Sequence, residues 1–205
     1  MTPLLAAPRR NVELKAQDPS PARTFAACLK LPVEDRGELW QRDTYFTAAR
    51  GRLKLREQRP GADQLIQYDR KTARQERESR HEIAEIDDAK GLRAVLTAAL
   101  GIGVVVIKRR RLLLWQTVRI HLDAVESLGS FIELEAVAEP NSDLQLEYRL
   151  IARLRESLRI TDDQLVATGY AEQLLNSDTP QPPTAIQPDG PRRTTGLGDC
   201  LAMGF

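Results

Sequence analysis

Asn11-Val12-Glu13-Leu14-Lys15-Ala16 alternates polar and apolar side chains through six residues. A strand repeats its side-chain direction every second residue, so Val12, Leu14 and Ala16 share one face and Asn11, Glu13 and Lys15 the other. The same division recurs in Arg52-Leu53-Lys54-Leu55-Arg56, in Arg119-Ile120-His121-Leu122-Asp123 and in Phe131-Ile132-Glu133-Leu134-Glu135-Ala136. Apolar faces of this kind have to be covered, and an antiparallel sheet with one packed face covers them. The polar faces carry their charges in clusters, with carboxylates at Glu13, Glu133 and Glu135 and cations at Lys54 and Arg56. Like charges two residues apart on one face repel unless an opposite charge lies between them. A metal ion for the carboxylates and a phosphate for the cations would supply it.

Period-two runs bounded by turn residues predict strands over Arg10–Gln17, Glu38–Thr47, Arg52–Gln58, Gln64–Lys71, Arg80–Ile86, Val104–Leu112, Trp115–Asp123 and Ser130–Ala138. Helical periodicity predicts helices over Ala22–Leu31 and Asp88–Leu100, the second closed by Gly101. Two more fit within Ser142–Asn176, with Ser142 and Thr161 as N-caps. Eight strands and a few helices read as an α+β fold built on a large antiparallel sheet. A chain of 205 residues suffices for one well-buried domain. The expected division is an N-terminal extension over 1–9, the domain over 10–177 and a Pro- and Gly-rich tail over 178–205. That tail lacks any apolar periodicity and is expected to be disordered.

Thirty Lys and Arg against 29 Asp and Glu leave a net charge of +1, so bulk charge selects no partner. The sorting of charges by face is more informative. On the polar faces Lys15, Arg52, Lys54, Arg56, Arg70, Lys108, Arg110 and Arg119 outnumber Glu13, Asp123, Glu133 and Glu135. Such an excess attracts a compact polyanion, and in a sheet closed into a barrel these groups would line the interior.

Several classes are disfavoured. Cys28 and Cys200 form no disulfide framework or zinc cluster, which points to a reducing compartment. Met1–Arg10 has no apolar leader, and the Val95–Ile107 run is too short and too Gly-interrupted to span a bilayer, so a cytoplasmic protein without a membrane partner is expected. Leu100-Gly101-Ile102-Gly103 is followed by neither the Lys-Ser nor the Lys-Thr pair of a phosphate-binding loop. Arg109-Arg110-Arg111 lacks clustered aromatics, so no nucleic-acid partner is expected. His121 suits a structural hydrogen bond as well as a general base, His81 reads as a surface residue and Cys28 as core.

Three ordered motifs carry a family resemblance. Asn11-Val12-Glu13-Leu14-Lys15-Ala16 resembles the opening motif of the CYTH superfamily, the triphosphate tunnel metalloenzymes. Gln41-Arg42-Asp43-Thr44-Tyr45-Phe46 with Gly51-Arg52-Leu53-Lys54-Leu55-Arg56-Glu57 is similar to the second landmark. Arg119 to Asp123, then Leu128-Gly129 and Phe131 to Glu135, resembles the third. The order is most like the class IV adenylate cyclase (CyaB-type) branch. The resemblance implies a closed eight-stranded antiparallel barrel enclosing a tunnel, with helices packed outside. It implies Mg²⁺ or Mn²⁺ held by Glu13, Glu133 and Glu135, with Asp123 near that site. It further implies phosphates cradled by Lys15, Lys54, Arg56, Arg70, Lys108 and, by face parity, Arg110, with Arg52 and Arg119 as weaker additions. Asp123 and Lys15 are the residues it places at the chemistry.

Two departures bear on the reaction. Asn11 stands where the opening motif has an acid, which weakens any second metal site. No lysine follows Lys108, although some hydrolytic relatives have one late in the barrel. The expected function is a metal-dependent enzyme acting on a small-molecule triphosphate or polyphosphate ester. It is either an adenylate cyclase forming cyclic AMP and pyrophosphate or a triphosphate phosphohydrolase. The alternatives are a non-catalytic polyphosphate-binding module and an enzyme of another organic polyphosphate or diphosphate. The resemblance leaves a homodimer open.

Overall fold

The computed structural model describes residues 9–70 and 77–177, with side chains described for 10–68 and 81–177. The expected tail, nearly all of the N-terminal extension and the Arg70 side chain lie outside the described residues. Among the described residues eight strands appear: β1 (Arg9–Gln17), β2 (Glu34–Phe46), β3 (Arg52–Arg59), β4 (Asp63–Arg70), β5 (Arg77–Ile86), β6 (Ile102–Trp115), β7 (Val118–Val125) and β8 (Gly129–Val137). Four helices accompany them, α1 (Pro21–Cys28), α2 (Ala89–Leu100), α3 (Gln145–Ser157) and α4 (Tyr170–Asn176). The α+β expectation with an antiparallel eight-stranded sheet therefore holds.

The sheet is strongly curled. Its hydrogen-bonded order is β1-β5-β4-β3-β2-β6-β7-β8, and β8 pairs back onto β1. Along the β1–β5 seam the paired positions run only from Arg9↔His81 to Glu13↔Arg77, whereas β1 pairs with β8 from Asn11 to Gln17. The ladder thus returns on itself through a short seam, giving a barrel-like wall that is thinnest there.

The outward faces bury the alternating apolar residues. Val12, Leu14 and Ala16 of β1, Val118 and Ile120 of β7, and Ile132, Leu134 and Ala136 of β8 pack with Leu150, Ile151 and Leu154 of α3. Each fully buried Leu or Ile contributes about 1.5–3 kcal/mol, so this seam of three strands and one helix is the main stabilising layer. Beneath α2, Leu92 and Leu96 cover Phe46, Leu53, Leu55 and Leu65. The Asp88 carboxylate accepts from Gly91 N–H (2.9 Å) at the start of α2, and Gly101, at φ +71°, ends it as expected.

The fourth helix does something else. Val104 and Val106 share the inward face of β6 with Lys108 and Arg110, and Val125 and Phe131 share inward faces with Asp123 and Glu133. These four cluster with Tyr170 and Ala171, so α4 is tucked against one end of the sheet's interior.

Some boundaries moved. A register shift between Asp35 and Glu38 lets β2 begin at Glu34. Ser142 does not cap α3: its hydroxyl takes the Leu144 N–H and donates to Glu147, and the helix starts at Gln145. The expected helix after Thr161 reduces to a 3₁₀ turn at Asp162–Gln164, because Leu165 bridges to Ala16 and Val166 N–H donates to Lys15 O. That backbone is committed to the edge of β1, and helix resumes only after Gly169.

Candidate functional site: a charged cavity inside the curled sheet

The polar faces meet inside the curled sheet around a cavity of about 640 Å³. Two ion clusters dominate it. In the first, Asp43 of β2 faces Arg56 across the β2–β3 pair. Its carboxylate accepts from Arg56 Nε (2.7 Å) and Nη2 (2.8 Å), from Lys54 Nζ (2.9 Å) and from Lys108 Nζ (3.4 Å). Asp43 is 1% exposed. Burial alone would raise its pKa, but Arg56, Lys54 and Lys108 hold it well below the usual carboxylate range. One carboxylate therefore gathers the buried Lys54 and Lys108 and the partly buried Arg56, each of them expected from the sequence to meet phosphate. Burial and the neighbouring Arg56 pull Lys54 down to about 8. Lys108 is pushed down in the same direction by burial and Arg110.

In the second cluster, Arg110 pairs bidentately with Asp123 (2.6 and 2.5 Å) across the β6–β7 pair and reaches Glu133 (2.8 Å). Lys15 also binds Glu133 (3.0 Å), its cross-strand partner, and lies 3.5 Å from the centre of the Tyr170 ring. The Tyr170 hydroxyl donates to Asp123 (2.8 Å), which fixes α4 at the cavity end. Burial raises the Glu133 carboxyl, yet Lys15, the neighbouring His121 ring and Arg110 together hold it well below its ordinary value. His121 stands between Glu133 (3.5 Å) and Glu135 (3.8 Å), and burial with Arg110 lowers its pKa. Glu135 takes the Asn11 amide and Arg119 (3.5 Å).

Almost all of the sequence candidates are drawn into one space. Glu13, Lys15, Lys54, Arg56, Lys108, Arg110, Arg119, Glu133 and Glu135 line the cavity. The parity argument for the arginine run holds: Arg110 is buried inside, while Arg109 and Arg111 point outward to Glu38 and Asp35. The Arg119 side chain is 44% exposed and belongs to the rim. Arg52 is engaged by Glu172 of α4 and lies beside the Tyr68 ring, away from the cavity lining. Asp123 is wholly taken up with Arg110 and Tyr170.

The carboxylates suit a hard cation in their chemistry. Glu13, Glu133 and Glu135 offer only oxygen donors, Glu13 and Glu135 are cross-strand partners, and Glu133 and Glu135 are held ionised. Among the described residues no three of His, Cys, Asp or Glu already converge as a ligand set, because Glu133 is turned to Lys15 and Arg110 and Glu135 to Asn11 and Arg119. A metal ion bound here would displace those cations.

Sequence reasoning missed Asp43, which lies inside the second landmark motif. Gln41-Arg42-Asp43-Thr44 is polar on both faces, so alternation alone could not say which face is interior; the registers Asp43↔Arg56 and Gln41↔Lys108 decide it. Tyr170 comes from a helix packed on the end of the sheet and left no strand-period signal.

The fold is shared with solved structures of low sequence identity. The PH1012 protein of Pyrococcus horikoshii superposes with a TM-score of 0.72 at 20% identity, covering 79% of this chain and 98% of that one. A candidate adenylate cyclase from Vibrio parahaemolyticus gives 0.66 at 18% identity, with 80% and 97% covered. HpAC1 from Hippeastrum, a candidate adenylyl cyclase with a dominant triphosphatase activity, gives 0.52 at 17% identity, with 73% and 87% covered. Among curated proteins, none matches the sequence. No helix of the described residues is long and apolar enough to cross a membrane. The CYTH domain model matches residues 9–170, which span the eight strands and the first residue of α4, and the chain belongs to the CYTH domain family.

Proposed function

We propose that this protein is a metal-dependent enzyme that binds a triphosphate in the cavity and cleaves its terminal phosphoanhydride with water. CYTH proteins are adenylate cyclase-like or triphosphatase enzymes, and the family requires divalent metal ions. The observation that carries the reading is the gathering of Lys54, Arg56 and Lys108 on the single buried carboxylate of Asp43. Three cations already converge at hydrogen-bond distance on one anion, so phosphate oxygens replacing Asp43 would find them pre-positioned.

In this reading Lys54, Arg56 and Lys108 hold the phosphate chain, and Arg110, fixed by Asp123, meets the next phosphoryl oxygens. Lys15, held against Glu133 and the Tyr170 ring, places its ammonium where charge develops on the phosphoryl group. Asp123 acts through Arg110 as a positioning residue. Glu133 and Glu135, with Glu13, would hold Mg²⁺ or Mn²⁺, which when bound neutralises phosphate charge and activates water. Water adds to the terminal phosphorus, the bridging P–O bond breaks, and the shortened polyphosphate leaves with its oxygen charge on the cations.

Class IV adenylate cyclase chemistry is the second reading, favoured by the order of the three motifs. There the ribose 3′-oxygen attacks the α-phosphorus and pyrophosphate leaves. Incubation with ATP or tripolyphosphate and Mn²⁺, followed by product separation, tests both. ADP and phosphate support hydrolysis, whereas cyclic AMP and pyrophosphate support the cyclase. A bound but intact triphosphate overturns both and leaves a binding module.

A further inference from the structure

Beyond Asp43 and Arg56, along the same two strands, the cavity wall changes character. Two residues along β2 stands Gln41, and two residues along β3 stands Gln58, its cross-strand partner. Gln41 Nε2 donates to Gln58 Oε1 (2.9 Å). Among the described residues the Gln41 side-chain carbonyl oxygen has no hydrogen-bond partner, although the residue is 2% exposed and lines the cavity. A buried acceptor without a donor costs about 1–3 kcal/mol, so an orphan of this kind calls for an explanation. Next to this amide pair Leu39 and Leu112 add aliphatic surface to the same cavity. Phosphate oxygens bring no donor to Gln41 and gain nothing from Leu39 or Leu112.

We infer that Gln41 is a specificity-determining residue. It accepts a hydrogen bond from a sugar hydroxyl or base amino group of a nucleoside triphosphate, and so favours an esterified triphosphate over inorganic tripolyphosphate. The inference rests on the proposed phosphate site at Lys54, Arg56 and Lys108. Two residues of strand place Gln41 about 7 Å beyond Asp43, a span that suits the organic group of a triphosphate held by those cations. The cavity is also larger than a bare anion needs, within the range of about 300–1,000 Å³ of pockets that hold small organic ligands.

The test is calorimetric titration of the full chain with ATP, 2′,3′-dideoxy-ATP and tripolyphosphate, for wild type, Gln41→Leu and Gln41→Met. Both substitutions remove the orphan acceptor and keep the volume close, so either one that retains the wild-type fold by circular dichroism serves. The expected result is a fall of about fivefold to a hundredfold in the ratio of ATP to tripolyphosphate affinity, with tripolyphosphate binding unchanged. A wild-type dideoxy ligand that loses the same advantage identifies a sugar hydroxyl as the donor, and one that keeps it identifies the base; either supports the inference. An unchanged ratio overturns it, as does an equal loss of both ligands in a folded variant. A wild-type chain that binds neither ATP nor tripolyphosphate overturns the phosphate site itself, and this inference with it.

Discussion

Replacing Asp43 by Asn probes the cation cluster from its centre. The substitution keeps the size of the side chain and one acceptor oxygen, but removes the negative charge that accepts from Arg56 twice (2.7 and 2.8 Å), Lys54 (2.9 Å) and Lys108 (3.4 Å). Two buried cations and the partly buried Arg56 then surround a neutral amide. Breaking a buried ion pair from one side costs about 3–5 kcal/mol. In a domain of this size each kcal/mol moves the melting temperature by about 2–4 °C, so Asp43→Asn should melt roughly 6–20 °C below wild type. Tripolyphosphate supplies the missing charge and meets no internal competitor in the variant. It should therefore raise the melting temperature of Asp43→Asn by more than that of wild type, where ligand at a hundred times Kd contributes about 2.7 kcal/mol. Differential scanning calorimetry with and without tripolyphosphate reads both effects. A variant that melts with wild type, or a ligand shift no larger than in wild type, refutes the reasoning.

Three further outcomes are expected. Lys54 titrates at about 8 rather than 10.5 in the free protein. Bound phosphate raises that value, so tripolyphosphate affinity should fall as pH climbs above 8, by about tenfold per unit at most, and Lys54→Arg should abolish this limb. Folding stability moves the other way: the folded chain sheds the Lys54 proton first, so this residue's contribution rises between pH 8 and 10.5. The double variant Glu133→Gln, Glu135→Gln should lose Mn²⁺-dependent turnover while keeping its circular dichroism spectrum, and unchanged turnover would remove those residues from the metal assignment. A chain ending at Ser177 should melt within a few degrees of full length, because the Pro-rich remainder has little apolar surface to bury.

The strand faces were legible because their alternation is strict: Val12, Leu14 and Ala16 are buried outward and Glu13 and Lys15 inward, as period two requires. The excess of positive charge was read too high. Asp43 adds an interior carboxylate, and Arg52 is taken by Glu172. Alternation assigns a residue to a face but not to a partner, so the bridge from Arg110 through Asp123 to Tyr170 could not be read before the registers and the seat of α4 were known. The curled sheet was an inference from family likeness; no local pattern in β1 or β5 specifies their short shared seam.

Calorimetric titration of the full chain with tripolyphosphate in Mg²⁺ buffer tests the central claim most directly. The interior cation cluster requires one tripolyphosphate per chain, an affinity weakened about tenfold to a hundredfold (about 1.5–3 kcal/mol) by Lys54→Ala, and no change in Arg109→Ala, whose side chain points outward. Absence of binding by the wild-type chain, or wild-type affinity in Lys54→Ala, would contradict it.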